Sequence, residues 1–532
     1  MKHILWTRSL SPGCLLGMLA SLALTAAEPI PLAKGHVLFQ ADFEATNALQ
    51  AWKGSTRLEA GFQSRQSLVV ERKPGASEPS SIVGLSLPVT GVRGCTLSGS
   101  ARIKAANVSA KPNPWNGVKF MLAIESPTSK AWPQADLDAG SFDWKRAAFT
   151  ARVPEDATAL TLVLGLESVT GKVQFDDVKI VIAKTPPVIP PVAAAGPPFK
   201  GHNLPRLRGA MIAPNIDEAS LRRLGRDWKA NLIRWQLIRH LRPGQSSSLA
   251  DYDPWLEDEL KKLDAALKHC ERYGLYVVVD LHSPPGGKAT ASCYVGSDDR
   301  LFTDRSCQDK FVEVWRHLAA RYKNAKPIWG YDLANEPVEG LIEEGCDDWQ
   351  ALAERTAKAI REIDPQRALI VEPAGWGGPD CLLDWLPLAV SNVVYSVHMY
   401  LPSAFTHQGV FGKTPECGYP GLIDGKVWNR AQLEAALQPV IDFQRRYNVR
   451  IYIGEFSAIR WAPDHSSYRW LKDVIDIFEA HDWDWSYHAF REWNGWSVEH
   501  TEDRSDNAPA AQPTDRQRLL CDWFGRNQSP SW

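Results

Sequence analysis

The sequence predicts two domains of different fold class: an all-β sandwich, then an α/β domain built as a (β/α)8 TIM barrel. Short β-favouring runs separated by turn residues fill the first third of the chain. After them, β-rich apolar runs alternate with helix-period segments. Between the two patterns lies KTPPVIPPVAAAGPPFK, residues 184–200. Paired prolines fix φ and remove amide donors, so this segment predicts a stiff linker.

The composition is that of an ordinary folded protein with room for two domains. The chain has 532 residues, of which 44% are hydrophobic and 23% charged, which excludes wholesale disorder and a multispan membrane protein. Its 60 basic and 62 acidic residues give no net field that would gather nucleic acid, so we expect no such partner. The 22 tryptophans outnumber the 17 phenylalanines, which indicates a use for flat, amphipathic surfaces.

The first 27 residues have the three parts of a secretory signal. Lys2 and Arg8 precede an apolar run at 15–24, and Thr25-Ala26-Ala27 forms a small-residue cleavage site. No stretch approaches about 20 uninterrupted apolar residues, the length that spans a bilayer. We therefore expect a secreted or periplasmic protein with no membrane contact after signal removal, and we expect a monomer.

Export predicts that some cysteines form disulfides. Cys293 with Cys307 would staple one long loop, and Cys346 with Cys381 is a second candidate pair. A fully reduced protein is the alternative. No two cysteines are two residues apart and no histidine pair completes a ligand set, so we expect no structural zinc.

The sandwich is predicted over 28–183. Its β-favouring runs are separated by Gly, Pro, Asn and Asp, and they lie at 36–39, 98–103, 118–124, 159–164 and 173–182.

The barrel is predicted over 201–532. Eight strands are expected to begin near Leu207, Asn231, Leu275, Ile328, Ala368, Val393, Ile451 and Trp485. Helices are predicted at 255–273 and 432–447, where apolar residues recur at i, i+3 and i+4. Eight β-then-α units favour a closed barrel, although a doubly wound open sheet has the same local pattern.

Functional groups of such barrels project from the carboxyl ends of the strands. These ends carry many reactive side chains: Arg234, Trp235, Asp280, His282, Asn335, Glu336, Glu372, Trp376, His398, Tyr400, Glu455 and 491–493. No nucleotide-binding glycine loop accompanies them, so we expect no cofactor and no metal in the barrel.

Two of these carboxylates, Glu336 after strand four and Glu455 on strand seven, are expected to face each other across the mouth. A retaining glycosidase needs one carboxyl group that protonates the leaving oxygen and another, about 5 to 5.5 Å away, that attacks the anomeric carbon. Asn335 is placed to hold a sugar hydroxyl. The side chains expected to orient Glu455 and favour its ionised form are Tyr400, His398 and Arg234.

In this order the motifs resemble glycoside hydrolase family 5, the cellulase family A group of retaining barrel glycosidases, over 207–496. YDLANEP at 331–337 resembles the strand-four motif and implies Glu336 as general acid/base. YIGEF at 452–456 resembles the strand-seven motif and implies Glu455 as nucleophile. The segments NLIRW, DLH and SVHMY are similar to those that supply the family's substrate-binding Arg, His and His-x-Tyr, which implies Arg234, His282, His398 and Tyr400.

The resemblance departs from the family at strand eight. WSYH at 485–488 has His where many members have the Trp that forms the floor of the sugar subsite, and Trp493 is our candidate for that floor. Trp376 either stacks on a sugar or caps the hydrophobic core. The same two alternatives apply to Trp461 and Trp496.

Simpler interpretations stay open for several of these residues. His282 and His398 could be satisfied core histidines, and Arg234 could close the barrel bottom through an ion pair. Glu372 lacks a preceding Asn, so we interpret it as structural. For the proposed chemistry, the pKa of Glu336 must be raised while Glu455 stays charged.

Three segments of the first domain resemble jelly-roll carbohydrate-binding modules: ADFE from Ala41, FDWKRAAFTARVP from Phe142 and VQFDDVKI from Val173. The resemblance implies a jelly-roll sandwich that binds glycan, with a structural calcium near Glu44 and Asp177. A scaffold that binds nothing is the alternative.

Together these features predict a secreted retaining β-glycosidase, with β-glucan as the first substrate choice and mannan as the second. We expect the segments 283–306 and 401–428 to shape the cleft. The alternatives are a catalytically silent glycan-binding protein and a transglycosylase that uses the same residues.

Overall fold

The computed structural model describes residues 33–532 apart from 114, 128, 187–199, 242–247, 289–297, 299, 344 and 413. The predicted signal, most of the predicted linker and Cys293 lie outside the described residues. The signal, the domain limits and the Cys293–Cys307 bridge therefore stay predictions. Cys346 and Cys381 are both free thiols, so the second candidate disulfide is wrong.

The N-terminal region forms two antiparallel sheets, which confirms the all-β prediction. Its strands are β1 (Val37–Ala41), β2 (Arg57–Glu59), β3 (Ser67–Arg72), β4 (Ser80–Leu87), β5 (Thr96–Val108), β6 (Gly117–Glu125), β7 (Lys130–Ala131), β8 (Gly140–Arg152), β9 (Ala159–Glu167) and β10 (Gly171–Lys184). One sheet has the order β2-β3-β10-β5-β8 with β1 beside β10, and the other has β4-β9-β6-β7. Burial alternates along β5, so one face of its sheet packs on the shared apolar core.

The second region is a closed barrel of eight parallel strands, as predicted. They are β11 (Arg208–Ile212), β12 (Leu232–Gln236), β13 (Tyr276–Asp280), β14 (Ile328–Asp332), β15 (Ala368–Val371) and β16 (Val393–Met399), then, after the hairpin β17 (Gly421–Ile423) and β18 (Lys426–Trp428), β19 (Arg450–Phe456) and β20 (Asp484–Phe490). Strand β20 pairs with β11 and closes the ring. Each barrel strand begins within one residue of its predicted start, because strands buried on both faces are continuous apolar runs.

The helices are α1 (Glu218–Arg222), α2 (Tyr252–Tyr273), α3 (Arg305–Tyr322), α4 (Trp349–Arg361), α5 (Ser403–Thr406), α6 (Arg430–Ala436), α7 (Gln438–Tyr447), α8 (Ser466–Ala480) and α9 (Asp515–Phe524). The single helix predicted at 432–447 is two helices. Pro439 has no amide hydrogen and fits only the first turn of a helix, so α6 ends and α7 begins just before it. Within the described part of the chain, no helix is long and apolar enough to cross a membrane.

The sandwich packs against two barrel loops, those that follow β14 and β15. The contacts are Lys184 Nζ with Glu339 Oε2 (3.0 Å), Lys34 Nζ with Asp348 Oδ2 (2.6 Å), Arg152 Nε with Asp384 Oδ1 (3.0 Å) and Thr96 Oγ1 with Asp384 Oδ2 (2.6 Å). The same two loops carry Glu336 and Trp376. The sandwich therefore lies at the carboxyl end of the strands, beside the predicted site.

Candidate active site

The structure brings Glu336 and Glu455 together, as the sequence predicts. Glu455 lies within β19, and Glu336 follows the end of β14 by four residues. One carboxylate oxygen of each, together with a ring nitrogen of His398, lie within 4.8 Å of one another. Two acidic groups distant in the chain thus share one small region of the barrel mouth.

Glu455 is held by two donors. Arg234 Nη1 donates to its Oε1 at 2.6 Å, and the Tyr400 hydroxyl lies 2.8 Å from its Oε2. Burial raises the pKa of Glu455, but His398, His488 and Arg234 outweigh this and hold the pKa well below its ordinary value. Glu455 is therefore ionised, as a carboxylate nucleophile must be.

Glu336 has a different environment. His398 Nδ1 lies 2.9 Å from its Oε1, and its backbone amide donates to Glu372 Oε2 at 2.8 Å. Burial and the charge of Glu455 raise the pKa of Glu336, but His398 and Lys288 outweigh them and lower it. The raised pKa that we expected is therefore wrong for this arrangement of charges, although Glu455 remains the more acidic of the two.

Arg234 is the buried cation at the centre of the mouth. Its guanidinium lies within 3.2 Å of four carboxylates, those of Asp280, Asp332, Glu372 and Glu455. The pKa of Arg234 is raised well above its ordinary value, because these charges outweigh burial. Burial instead raises the pKa of Asp332, which favours its neutral form. The alternative in which Arg234 closes the barrel bottom is therefore wrong.

His398 bridges two acidic groups. Its Nδ1 faces Glu336, and its Nε2 lies 3.0 Å from Glu372 Oε1. Burial lowers the pKa of His398, but Glu372, Glu455 and Glu336 outweigh this and raise the pKa well above its ordinary value. His398 is thus an imidazolium that holds both carboxylates in place.

His282 and Asn335 form a second pair beside Arg234. His282 Nδ1 lies 2.7 Å from Asp280 Oδ2, and its Nε2 lies 3.2 Å from Asn335 Nδ2. Arg234 Nη2 donates to Asn335 Oδ1 at 3.2 Å. If Nδ1 carries the proton, Nε2 accepts from the amide, which fixes the orientation of both side chains.

The predicted stacking tryptophans are exposed at the rim. Trp376 is 44% exposed, with Lys288 Nζ 4.8 Å from its ring centroid, and Trp493 is 43% exposed. Trp496 is buried, and its ring centroid lies 6.3 Å from that of Tyr400. Trp493 packs edge-on against Trp496 and Trp461.

Sequence reasoning did not name Asp332, and it gave no part in the site to Glu372, His488 or Glu492. Asp332 and Glu372 are ligands of Arg234, and Glu372 also holds the amide of Glu336, in line with its interpretation as structural. His488 and Glu492 place an ion pair at the end of β20, with Nε2 to Oε2 at 3.2 Å. Asp332 is the last residue of β14, directly after the run IWGY. Its place at the carboxyl end of a predicted strand is the feature of the sequence that could have identified it.

A metal ion fits the site poorly. Glu336, His398 and Glu455 are close enough to share one, but Arg234 and the charged His398 already neutralise these carboxylates. Elsewhere, Glu44 is bound by Arg65 and by the amide of Gln66. Two groups of three ligands form among the described residues, and neither includes Glu44 or Asp177, so the calcium site stays a prediction.

Residues 192–494, more than half of the chain, match the sequence model of cellulase, glycosyl hydrolase family 5. Endoglucanase C of Acetivibrio thermocellus is 30% identical over 253 residues, which cover 42% of this chain and 71% of that protein. Cellodextrinase A of Ruminococcus flavefaciens is 24% identical over 258 residues, 48% of this chain and 73% of that protein. A crystal structure of a glycoside hydrolase aligns with this chain at a TM-score of 0.48 and 25% sequence identity. The alignment covers 60% of this chain and 99% of the chain in that structure.

Proposed function

The chain belongs to glycosyl hydrolase family 5 and is a glycoside hydrolase, and on this premise we propose that it cleaves β-linked glucan with net retention. The observation that carries the proposal is that one carboxylate oxygen of Glu336 lies within 4.8 Å of one carboxylate oxygen of Glu455. Double displacement needs carboxyl groups about 5 to 5.5 Å apart, whereas inversion needs about 6.5 to 9.5 Å to admit a water.

In the first step, the protonated form of Glu336, which its lowered pKa makes the minor form, transfers its proton to the glycosidic oxygen while Glu455 attacks the anomeric carbon. The bond between that carbon and the leaving oxygen breaks, and the sugar becomes an ester of Glu455. Arg234 and Tyr400 hold the attacking carboxylate in its charged form. This division of roles agrees with the lower pKa of Glu455.

In the second step, Glu336 takes a proton from water, the water oxygen attacks the anomeric carbon, and Glu455 is released. The negative charge of Glu455 raises the pKa of Glu336. Formation of the ester removes that charge, so Glu336 becomes more acidic and remains deprotonated, ready to act as the base.

The substrate class is proposed from the relatives and the rim. The alignment with this chain covers more than two thirds of the length of proteins named endoglucanase and cellodextrinase. The exposed rings of Trp376 and Trp493 offer flat surfaces for pyranose faces. β-Mannan remains the second choice, because the shape of the loops rather than the reacting residues selects the sugar.

We also propose export through residues 1–27 and glycan binding by the sandwich. Trp115 and Trp132 support the second proposal, because they are 62% and 58% exposed in the segments that flank β6 and β7. A sedimentation assay with insoluble cellulose would compare the chain with its Trp115→Ala/Trp132→Ala variant. Equal binding would favour the scaffold alternative.

A glycan panel tests the main proposal. The purified chain would be incubated with β-glucans, mannans and xylans, with sizing of the products and NMR of the first anomer released. We expect oligosaccharides of β-configuration from β-glucan, and no release by Glu455→Gln, while the exposed Glu362→Gln control keeps full activity. Release of the α-anomer, or no release from any glycan, would contradict the proposal. Transfer to excess sugar acceptor in place of water would identify the transglycosylase.

A further inference from the structure

Strand β20 ends in a hydrogen-bonded chain that reaches Glu455. Glu492 Oε2 lies 3.2 Å from His488 Nε2, and His488 Nδ1 lies 2.5 Å from the Tyr400 hydroxyl. That hydroxyl lies 2.8 Å from Glu455 Oε2. Four side chains from three strand ends are therefore connected in one line.

The number of protons decides how this line is connected. Tyr400 has one hydroxyl proton and two neighbours that accept it, Glu455 Oε2 and a neutral His488 Nδ1. A neutral His488 that donates through Nε2 to Glu492 competes with Glu455 for the Tyr400 proton. A cationic His488 donates through Nδ1 to the Tyr400 oxygen, so the Tyr400 proton goes to Glu455.

The groups around His488 favour its cation. Glu455, Glu492 and Glu336 face it from β19 and from the segments after β20 and β14. Burial lowers the pKa of His488, but these carboxylates outweigh it and raise the pKa. Two further neighbours among the described residues are neutral: the Trp496 ring, 5.7 Å away, and His407, whose pKa burial and His488 lower to about 4.

We propose that cationic His488 directs the single proton of Tyr400 onto Glu455, and that Glu492 keeps His488 in this form. His488 and Glu492 are thus positioning residues for the nucleophile. The proposal rests on the proposed function, because it takes Glu455 to be the nucleophile. Loss of the His488 proton at high pH turns the Tyr400 hydroxyl away from Glu455, and the loss of one charge-assisted hydrogen bond lowers kcat/KM roughly tenfold.

The pH dependence of kcat/KM on a soluble β-glucan tests this. In Glu492→Gln we expect the alkaline limb to move to lower pH by roughly one unit, since one pKa unit corresponds to one modest charge interaction. Removing the Glu492 charge also acidifies Glu336, so the comparison is repeated in Tyr400→Phe. In the Tyr400→Phe background, the part of the shift of the alkaline limb that arises from the pKa of His488 must be absent. Glu499→Gln, in the same segment but paired with Arg491, is the matched control and keeps the wild-type limb.

NMR titration measures the protonation state of the His488 ring directly in the wild-type chain. We expect a cationic ring at the pH of maximal activity, and a neutral ring there would overturn the proposal. An equal limb shift with and without the Tyr400 hydroxyl would also overturn it. If Glu455→Gln is inactive but the NMR and pH results contradict the expectations above, only the proposal for His488 is wrong. If Glu455→Gln stays active, the proposed function itself is wrong.

Discussion

Buried charges lie at both ends of the barrel, and the two groups are built differently. At the base, Arg208 forms two 2.7 Å hydrogen bonds with Glu479, and Asp484 accepts from the amide of Leu207 at 2.7 Å with His202 3.0 Å away. At the mouth, a single Arg234 serves four carboxylates.

This difference indicates that the base of the barrel contributes mainly to stability and that the mouth is adapted to catalysis. At the base each carboxylate has two basic partners, Arg206 and Arg208 for Glu479 and His202 and Arg206 for Asp484, which recover much of the cost of burying its charge. An excess of buried carboxylates is costly, and it separates the pKa values of its members, as those of Glu455 and Asp332 are separated. We therefore expect substitutions at the mouth to change catalysis, and substitutions at the base to change stability.

The largest effect is expected for Glu455→Gln. Loss of the attacking oxygen should lower kcat on β-glucan by about four orders of magnitude or more. The melting temperature should fall only slightly, because the surroundings of Glu455 favour its charge but Gln keeps an acceptor oxygen for Arg234 and Tyr400. Steady-state kinetics and thermal melts measure both quantities. Wild-type-like kcat, or collapse of the fold, would break the comparison.

Next in size is a pair of substitutions of one type at opposite ends. Arg208→Met at the base should cost about 1 to 3 kcal/mol of unfolding free energy, because Glu479 loses two hydrogen bonds but keeps its contacts with Arg206 and the Trp485 indole. The kcat of the molecules that remain folded should be unchanged. Arg234→Met at the mouth should instead lower kcat, since Glu455 loses its 2.6 Å donor. The comparison fails if Arg208→Met slows the folded enzyme as much as Arg234→Met does.

The two ends should also differ in the sign of their pH dependence. Burial raises the pKa of Asp484, but His202, Arg450 and the Leu207 amide outweigh burial and lower the pKa. The stabilisation that Asp484 contributes is therefore present above about pH 4 and is lost as pH falls through its folded-state pKa. The pKa of Asp332 is raised, so its contribution is present below about pH 4 and is lost as pH rises. Denaturant melts of Asp484→Asn and Asp332→Asn across the acid range measure this. Slopes that change in the same direction in both variants would contradict it.

The smallest effect is expected at the contact between the domains. Lys184 pairs with Glu339, which also accepts from the amide of Trp349 at 2.6 Å. Because that second bond survives, Lys184→Met should cost only about 1 to 2 kcal/mol and change kcat less than about twofold. Lys145→Met, which breaks a pair with Asp138 inside the sandwich domain, is the matched control. A larger loss of kcat would show that the sandwich positions the Glu336 loop.

How much the sequence could predict follows from the range of the interactions involved. Barrel strands were found because their own residues form continuous apolar runs, and Glu336 and Glu455 because motifs mark the ends of β14 and β19. Strands β4 and β8 were not among the predicted runs, since polar residues interrupt them on one face. The break before Pro439 was signalled by the proline itself.

The partners of Arg234 and of His488 could not be predicted in the same way. Each contact joins side chains from different strands, and its length depends on how the barrel closes rather than on local spacing. The pKa of Glu336 was mispredicted for the same reason, because it depends on His398 of β16 and on Lys288, which follows β13. Local sequence located the reacting groups, whereas closure of the barrel set their charges.

The most direct test of the central claim is covalent trapping of the nucleophile. The chain would be inactivated with an activated 2-deoxy-2-fluoro-β-glucoside, digested, and analysed by peptide mass spectrometry. The account predicts one fluoroglucosyl group per chain, on the peptide that contains Glu455 and on that side chain. A label on Glu336, Glu372 or Glu492, or inactivation with no covalent label, would contradict it.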